Sequence, residues 1–310
     1  MKKHSNIVDF TNRELTTIPK DVLKKTATRI IYFDCNHITE IPEDINQLAQ
    51  LKKLSIYNNH LRTLPKSLFE MKTLEAINLS VNKLTTIPPQ IDNLTSLHTL
   101  DIQHNHLLEL PKSLGTLQKL QFLYAGGNQL HTLPKSLAHL KNLLYLNITF
   151  NSFITLPEIT GDLTNLIELR IYNNKIITLP ESIGKLEQLI EFHAMNNKIV
   201  KLPKSIGKLK HLKKLMLESN VLVSLPESIG ELEHLTELDL RENTLTYLPE
   251  TVGNLKSLRF LDLRDNNLTI LPANIKKLKK LEKLDVRLNK FLEIPTWFKQ
   301  LEKRGCIIYY

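Results

Sequence analysis

A small group of side chains near the amino-terminal end has the residue types that a metal site would need. Thiolate, imidazole and carboxylate groups are the usual protein ligands of zinc. The candidates are Asp34, Cys35, His37 and His60. They lack the tight spacing of known zinc motifs, so the sequence favours solvated side chains here. His104 and His106 have the same interpretation, and no metal site is predicted.

The sequence contains no pattern that would build a catalytic centre. There is no glycine-rich phosphate loop, no G-x-S-x-G segment and no paired metal motif. A nucleophile also needs a base and an orienting group close by, and no such set is recognisable. We therefore expect a protein that is not an enzyme and that uses no cofactor.

Two residue types instead recur along the whole chain at a fixed interval of 23 residues. Thirteen of the fourteen prolines keep this spacing, from Pro19 to Pro295, and only Pro89 departs from it. Asparagine keeps the same interval from Asn36 to Asn289. A constant period of this size is typical of a solenoid built from equal turns. Any function must then lie on a repeated surface.

One copy of the repeat reads LKKLMLESNVLVSLPESIGELEH from Leu212. It resembles the leucine-rich repeat, L-x-x-L-x-L-x-x-N-x-L, in a 23-residue form with L-P-x-x-I-G-x-L on the return side. The pattern is similar to intracellular Ras-group-related proteins, to scribble- and erbin-type scaffolds and to bacterial leucine-rich repeat proteins. The resemblance implies a right-handed α/β solenoid of thirteen repeats, bent into an arc. A parallel sheet would line its concave face, and short helical or 3-10 segments would form the convex face.

Physical chemistry assigns a role to each repeated position. The Leu215–Leu217 alternation predicts a short strand with one buried face. The asparagine that follows can pair the free backbone groups where the chain leaves the sheet. The proline fixes φ at the first position of the return segment, where no N–H is needed. One turn cannot bury its apolar face alone, so stability comes from neighbouring turns.

The domain prediction is a single repeat domain over residues 1–310. Residues 1–27 are the predicted N-terminal cap, 28–294 the regular repeats and 295–310 the C-terminal cap, with Ile307 and Tyr309 in the strand positions of an unfinished turn. The sequence shows neither a signal peptide nor a membrane span, and no disulfide is expected between Cys35 and Cys306. We expect a cytoplasmic protein, or one secreted into a host cell by a signal that this sequence does not reveal.

The chain carries a net charge of +9, which raises the question of nucleic-acid binding. On the predicted inner wall, however, acidic residues outnumber basic ones. Lysines crowd the outer face, in runs such as 208–214 and 276–283. Such runs are usually solvated surfaces, and nucleic acid is not the expected partner.

Charged residues near the C-terminal end form two columns on the inner wall. Asp239, Asp262 and Asp285 make one column, and Arg241, Arg264 and Arg287 make the other. Like charges on adjacent strands repel, and a neighbouring column of opposite charge relieves this. The favoured interpretation is a ladder of ion pairs with a structural role, and steering of a charged partner is the alternative.

The candidate site is an irregular band on the inner wall of repeats six to ten. Aromatic residues make up only 6% of the chain, yet several lie here with methionine and arginine, which are residue types enriched at protein interfaces. Gly126 and Gly127 predict a notch that a partner backbone could enter. The alternative is that the rings stack to support the sheet. The predicted partner-binding residues are Phe122, Tyr124, Gly126, Gly127, Tyr145, Phe150, Arg170, Tyr172, His193, Met195 and Met216.

Three functions follow from this reasoning. The first is a protein–protein interaction module or scaffold that binds a partner protein on the concave face of repeats six to ten. The second is a secreted bacterial effector that engages a host protein. The third is a basic convex face that binds nucleic acid or anionic membrane, and a steep salt dependence of binding would distinguish it.

Overall fold

The computed structural model describes residues 6–310, so the first five residues of the predicted cap 1–27 lie outside the described residues. The chain divides into two compact units, one up to Ser152 and one over Phe153–Tyr310. The single-domain assignment stays a prediction.

The first unit is built on seven short parallel strands. Each strand pairs with the next one in the chain at an offset of 23 residues, as in the pairing of Thr99 with Phe122. The strands are β1 Ile7–Asp9, β2 Ile30–Tyr32, β3 Lys53–Ser55, β4 Ala76–Asn78, β5 Thr99–Asp101, β6 Phe122–Tyr124 and β7 Tyr145–Asn147. The return segments are helix α1 (Lys20–Leu23) and the 3-10 segments Ile45–Gln47, Lys66–Glu70, Pro89–Asn93, Lys112–Thr116 and Lys135–His139.

The second unit repeats this plan. Its strands are β8 Glu168–Arg170, β9 Glu191–His193, β10 Lys214–Met216, β11 Glu237–Asp239, β12 Phe260–Asp262, β13 Lys283–Asp285 and β14 Ile307–Tyr309. Its return segments are the 3-10 segments Glu158–Asp162, Glu181–Lys185, Lys204–Lys208, Glu227–Glu231, Glu250–Asn254 and Ala273–Lys277, followed by helix α2 (Phe298–Glu302). The predicted α/β repeat fold, with a parallel sheet and short 3-10 return segments, is confirmed in each unit.

The core of each turn consists of the repeated aliphatic side chains. In the turn that begins at Leu212, these residues are at most 5% exposed: Leu212, Leu215, Leu217, Leu222, Leu225, Ile229 and Leu232. Burial of one such side chain contributes roughly 1.5–3 kcal/mol. The first and third residues of each strand point away from this core. We call the surface that they form, together with the exposed and half-buried residues of the bend after each strand, the strand face.

The repeated asparagine is the polar element of the interior. The Oδ1 of Asn59 accepts a hydrogen bond from the Ile38 amide at 2.9 Å. Its Nδ2 donates to the carbonyls of Phe33 at 2.9 Å and Tyr57 at 3.0 Å. These are backbone groups of two successive bends, which would otherwise be buried without partners. The predicted structural role of the asparagine is confirmed.

The repeated proline lies one residue earlier than the sequence predicted. Pro65 has an extended backbone (φ −71°, ψ 152°) and precedes the 3-10 segment Lys66–Glu70, so it caps the segment and is not its first residue. Its carbonyl accepts the first hydrogen bond of that segment, from the Leu68 amide at 3.3 Å. Pro89, the proline outside the series, takes the first position of its segment. The fixed φ of proline suits both places.

The carboxyl-terminal turn matches its predicted register. Ile307 pairs with Lys283 and Tyr309 with Asp285, so β14 adds a further strand after β13. Phe298 of α2 is buried, and its ring lies 5.0 Å from that of Trp297. The C-terminal cap over residues 295–310 stays a prediction.

Two further features concern the cysteines and the helices. Cys35 and Cys306 are both free thiols. Among residues 6–310, no helix has the length and apolar character needed to cross a membrane.

Candidate functional site

Four aromatic residues and the Gly126–Gly127 pair are the predicted site residues in the first unit. Phe122 and Tyr124 point outward from β6 and Tyr145 from β7, and all three are half-buried. The rings of Tyr124 and Tyr145 lie 4.8 Å apart with planes inclined by 38°. Phe150 lies in the bend after β7 and is 51% exposed. We call Phe122, Tyr124, Tyr145 and Phe150 the first-unit patch.

The neighbouring strands show that this patch is local. At the same positions β4 presents Ala76 and Asn78, and β5 presents Thr99 and Asp101. From β5 to the adjacent strand β6, aromatic side chains therefore replace small and polar ones. Tyr124 and Tyr145 support each other, as the alternative interpretation held, while both also remain partly accessible to solvent. Stacking and binding are thus compatible roles for these two rings.

The predicted notch at Gly126–Gly127 is not open, and this prediction is corrected. A Cβ on Gly126 would lie 2.7 Å from Thr149 Oγ1, and a Cβ on Gly127 would lie 2.4 Å from His104 Nδ1. Side chains of the two adjacent turns fill the space that the glycines leave. Gly127 also has φ +65°, at a bend position where non-glycine residues of other repeats, such as Asn58, are likewise left-handed. Close packing between turns, and not a groove, explains the glycine pair.

The predicted site residues of the second unit lie on adjacent strands. Arg170 on β8 pairs in register with His193 on β9, and His193 pairs with Met216 on β10. Tyr172 and Met195 follow β8 and β9 toward the bend, and all five side chains are half-buried. We call Arg170, Tyr172, His193, Met195 and Met216 the second-unit patch.

Two carboxylates that were not among the predicted site residues bind the polar members of the second-unit patch, and Lys214 binds one of these carboxylates. Arg170 Nε donates to Glu168 Oε1 at 2.5 Å. His193 Nε2 lies 2.9 Å from Glu191 Oε2, and Lys214 Nζ lies 2.9 Å from Glu191 Oε1. The 23-residue period could have predicted that these residues are close together, because Glu168, Glu191 and Lys214 occupy the same position in three successive strands.

The predicted ion-pair ladder near the C-terminal end is confirmed. Arg264 Nη2 lies 2.6 Å from Asp262 Oδ2, and Arg287 Nη2 lies 2.7 Å from Asp285 Oδ2. Arg264 also bridges to the next strand, with Nε 3.4 Å from Asp285 Oδ2. Asp285 is fully buried, so these bonds compensate for the loss of water around its carboxylate.

The third aspartate of this ladder, Asp239, has a longer ion pair with its arginine than Asp262 and Asp285 have. Asp239 is 7% exposed. Arg241 Nε lies 3.3 Å from its Oδ2, while the Arg241 guanidinium also bonds Glu218. Burial raises the pKa of Asp239 to about 6, which outweighs the opposing effect of the Arg241 amide and charge. The neighbouring charge of Asp262 acts in the same direction as burial. The folded state therefore favours the protonated carboxyl.

This raised pKa predicts a pH-dependent stability. A carboxyl whose pKa is higher in the folded state stabilises the fold below its unfolded pKa, and this contribution is lost as the pH rises through about 6. Asparagine cannot ionise. Between pH 4 and pH 7.5, the free energy of unfolding of Asp239→Asn is expected to rise by about 2 kcal/mol relative to wild type. Urea unfolding of both proteins at the two pH values measures this shift, and a difference that is constant with pH would contradict it.

The four candidate metal ligands of the first unit do not form a cluster. The rings of His37 and His60 lie 5.5 Å apart, His37 is exposed and Cys35 is half-buried in a bend. In the described part of the chain, a set of three ligand atoms within 4.8 Å of one another occurs at Glu168, Glu191 and His193. That set was not predicted from the sequence.

The repeat geometry agrees with comparisons of the sequence against known families. Family models of the leucine-rich repeat match residues 49–107 and 257–278, and a family model of a leucine-rich repeat region matches residues 168–246. A leucine-rich repeat protein of Leptospira interrogans is 34% identical over 96% of this chain and 76% of its own, with a TM-score of 0.89. The chain belongs to the leucine-rich repeat family. A search of curated proteins gave no match.

Other leucine-rich repeat structures are similar over shorter parts of their own length. The Arabidopsis receptor kinase HAESA, solved with the peptide hormone IDA and the co-receptor SERK1, is 29% identical with a TM-score of 0.74. The match covers 98% of this chain and 57% of HAESA. The functional domain of InlJ from Listeria monocytogenes is 23% identical over 90% of this chain and 58% of its own, with a TM-score of 0.76, and shows the fold alone.

Proposed function

We propose that this protein is a non-enzymatic binding module that recognises a partner protein through strand-face residues of repeats six to ten. The observation that supports this most strongly is the change of side chains along the sheet of the first unit. Rings on β6 and β7 replace the small and polar residues of β4 and β5. Partly exposed rings of this kind supply much of the binding energy at protein interfaces.

The two patches differ in the contacts that they offer. The first-unit patch presents ring faces and edges, with Phe150 as its most exposed member. It suits an apolar anchor of the partner. In the second-unit patch, Arg170 and His193 are already bonded to carboxylates, and Tyr172, Met195 and Met216 provide the less polar surface. Methionine adapts its shape to a partner more easily than a ring does.

The family assignment supports protein recognition in general terms. HAESA, which shares the fold, was solved with a peptide hormone and a co-receptor. Repeat sequences record the fold better than the target, so the choice of face rests on this chain's own residues. An intracellular setting is part of the proposal, since both cysteines are free thiols.

A secreted bacterial effector is the second candidate. The similarity to the protein of Leptospira interrogans favours a bacterial repeat array. Both candidates use the same strand-face residues. They differ in the source of the partner, which would be a host protein for an effector and a protein of the same cell for a scaffold.

Alanine variants of one tyrosine in each patch test the proposal. Tyr145→Ala and Tyr172→Ala are each expected to weaken partner binding by about 2 kcal/mol, roughly thirtyfold in Kd, because hot-spot tyrosines lose that much on truncation. Tyr247→Ala is the matched control, since Tyr247 is 52% exposed and belongs to neither patch. Partners are captured with wild-type protein and identified by mass spectrometry, and their affinity for each purified variant is then measured.

The affinity of Tyr145→Ala for the partner tests the first-unit patch, and the affinity of Tyr172→Ala tests the second-unit patch. A partner that binds Tyr145→Ala and Tyr172→Ala as tightly as it binds Tyr247→Ala would place the binding surface elsewhere. Circular dichroism of each variant checks folding. Loss of the Tyr124–Tyr145 contact is expected to cost only about 0.5–1.5 kcal/mol of stability.

A further inference from the structure

Strands β8 and β9 bring two carboxylates and an imidazole together on the strand face of the second unit. Glu168 pairs in register with Glu191, and His193 lies two residues after Glu191 on the same outward side. His193 Nε2 is 2.9 Å from Glu191 Oε2 and 3.9 Å from Glu168 Oε1. One possible ligand atom from each of the three residues lies within 4.8 Å of the other two.

We propose that Glu168, Glu191 and His193 bind a Zn²⁺ ion. Imidazole nitrogen and carboxylate oxygen bind zinc at about 2.0–2.2 Å in tetrahedral geometry, which separates neighbouring ligand atoms by about 3.3 Å. The two observed distances, 2.9 and 3.9 Å, lie on either side of that value. Small rotations of the side chains therefore suffice to place the three atoms around one ion.

The surroundings of the cluster suit partly shielded ligands. The side chains of His193, Glu168 and Glu191 are 16%, 22% and 26% exposed. An ion can therefore reach them from the strand face, although most of each side chain is shielded from solvent. Three protein ligands leave a fourth coordination position open. That position would face solvent and could accept water or a side chain of a partner.

Basic side chains contact both carboxylates of the cluster. Lys214 Nζ holds Glu191 Oε1, which leaves Oε2 directed at His193. Arg170 Nε, from the same strand, bonds Glu168 Oε1, which is also the oxygen nearest His193, so a bound ion must share this oxygen with Arg170 or displace the bond. Groups that fix the orientation of ligands in this way are typical around metal sites.

The same basic side chains set a limit on affinity. The positive charges of Arg170 and Lys214 oppose a second cation close by, so the site should be weaker than a closed structural zinc site. The ion must also displace the contact between His193 and Glu191, and the coordinating nitrogen must be unprotonated. Zinc affinity is therefore expected to fall as the pH is lowered. Mg²⁺ prefers an all-oxygen octahedral site and is not expected to bind.

The test is a calorimetric titration of Zn²⁺ into metal-free protein without any partner. Wild type is expected to bind one Zn²⁺ ion with an affinity at least tenfold higher than that of His193→Gln, Glu168→Gln or Glu191→Gln. His234→Gln is the matched control and should behave as wild type, because His234 is exposed and stacks on His211 outside the cluster. Mg²⁺ in place of Zn²⁺ should give no binding heat.

Absence of zinc binding by wild type, or equal binding by the three cluster variants, would overturn the proposal. Thermal unfolding without zinc identifies any variant that does not fold, and the remaining cluster variants then decide. Anomalous scattering at the zinc edge from soaked crystals places the ion directly. Because the partner is absent, a negative result here leaves the proposed recognition of a partner unaffected.

Discussion

Replacement of Asn220 by leucine is expected to lower the free energy of unfolding by about 3 kcal/mol or more. Asn220 is 6% exposed, and its Oδ1 is the acceptor for the Ile199 amide at 3.0 Å. Its Nδ2 donates to the carbonyls of Ala194 and Leu217, both at 3.0 Å. Each buried backbone group left without a partner costs about 1–3 kcal/mol. Urea unfolding followed by circular dichroism measures the loss.

The asparagines on either side reduce the damage only in part. The Ala194 carbonyl also accepts from Asn197, and the Leu217 carbonyl also accepts from Asn243, so both keep one bond. The amide of Ile199 has no such second partner among these side chains. The same substitution at the exposed Asn267 is the control and should change stability by less than about 0.5 kcal/mol. Equal midpoints for the two variants would show that the asparagine row is not structural.

Replacement of Gly161 by valine is expected to lower the free energy of unfolding by about 3 kcal/mol. A Cβ on Gly161 would lie 2.1 Å from the Ser182 carbonyl oxygen and 2.6 Å from the Ser182 Cβ. Return segments of adjacent turns therefore touch through the backbone at this position. Overpacking of a tight contact costs about 1–3 kcal/mol, and here backbone must move as well. Thermal unfolding followed by circular dichroism detects the loss.

The equivalent position in the last 3-10 return segment, Ala273–Lys277, provides the control. Lys276 occupies it and is exposed, so the contact between turns is not tight there. Lys276→Val should leave the unfolding midpoint almost unchanged. If Gly161→Val unfolds at the same temperature as Lys276→Val, close approach of the return segments does not explain the glycine of the L-P-x-x-I-G-x-L pattern.

The repeat period made most of the fold predictable. Residues 23 apart have the same environment in every turn, so Leu215 and Leu238 occupy equivalent buried positions in adjacent strands. The buried role of the asparagine followed from the need to pair bend backbone. The position of the proline could not be fixed to one residue, because a φ near −65° suits both the cap and the first residue of a 3-10 segment.

The candidate site was less predictable, because side-chain conformation decides it. The sequence placed Arg170 and His193 on one face, but the bonds to Glu168 and Glu191 depend on rotamers. The prediction of a notch at Gly126–Gly127 was wrong, because the side chains of His104 and Thr149 occupy the space beside the two glycines. The absence of a metal site was argued from spacing along the chain, whereas the Glu168, Glu191 and His193 set is assembled across two strands.

The central claim is that the strand face of each unit contacts a partner protein, and crosslinking tests it most directly. A photo-crosslinking phenylalanine analogue is placed at Phe122 in one protein and at Met195 in another, both half-buried on the strand face. A third protein carries it at Lys208, which is exposed on a return segment. The account predicts covalent adducts with the partner from positions 122 and 195 and none from position 208. Adducts from position 208 alone would contradict it.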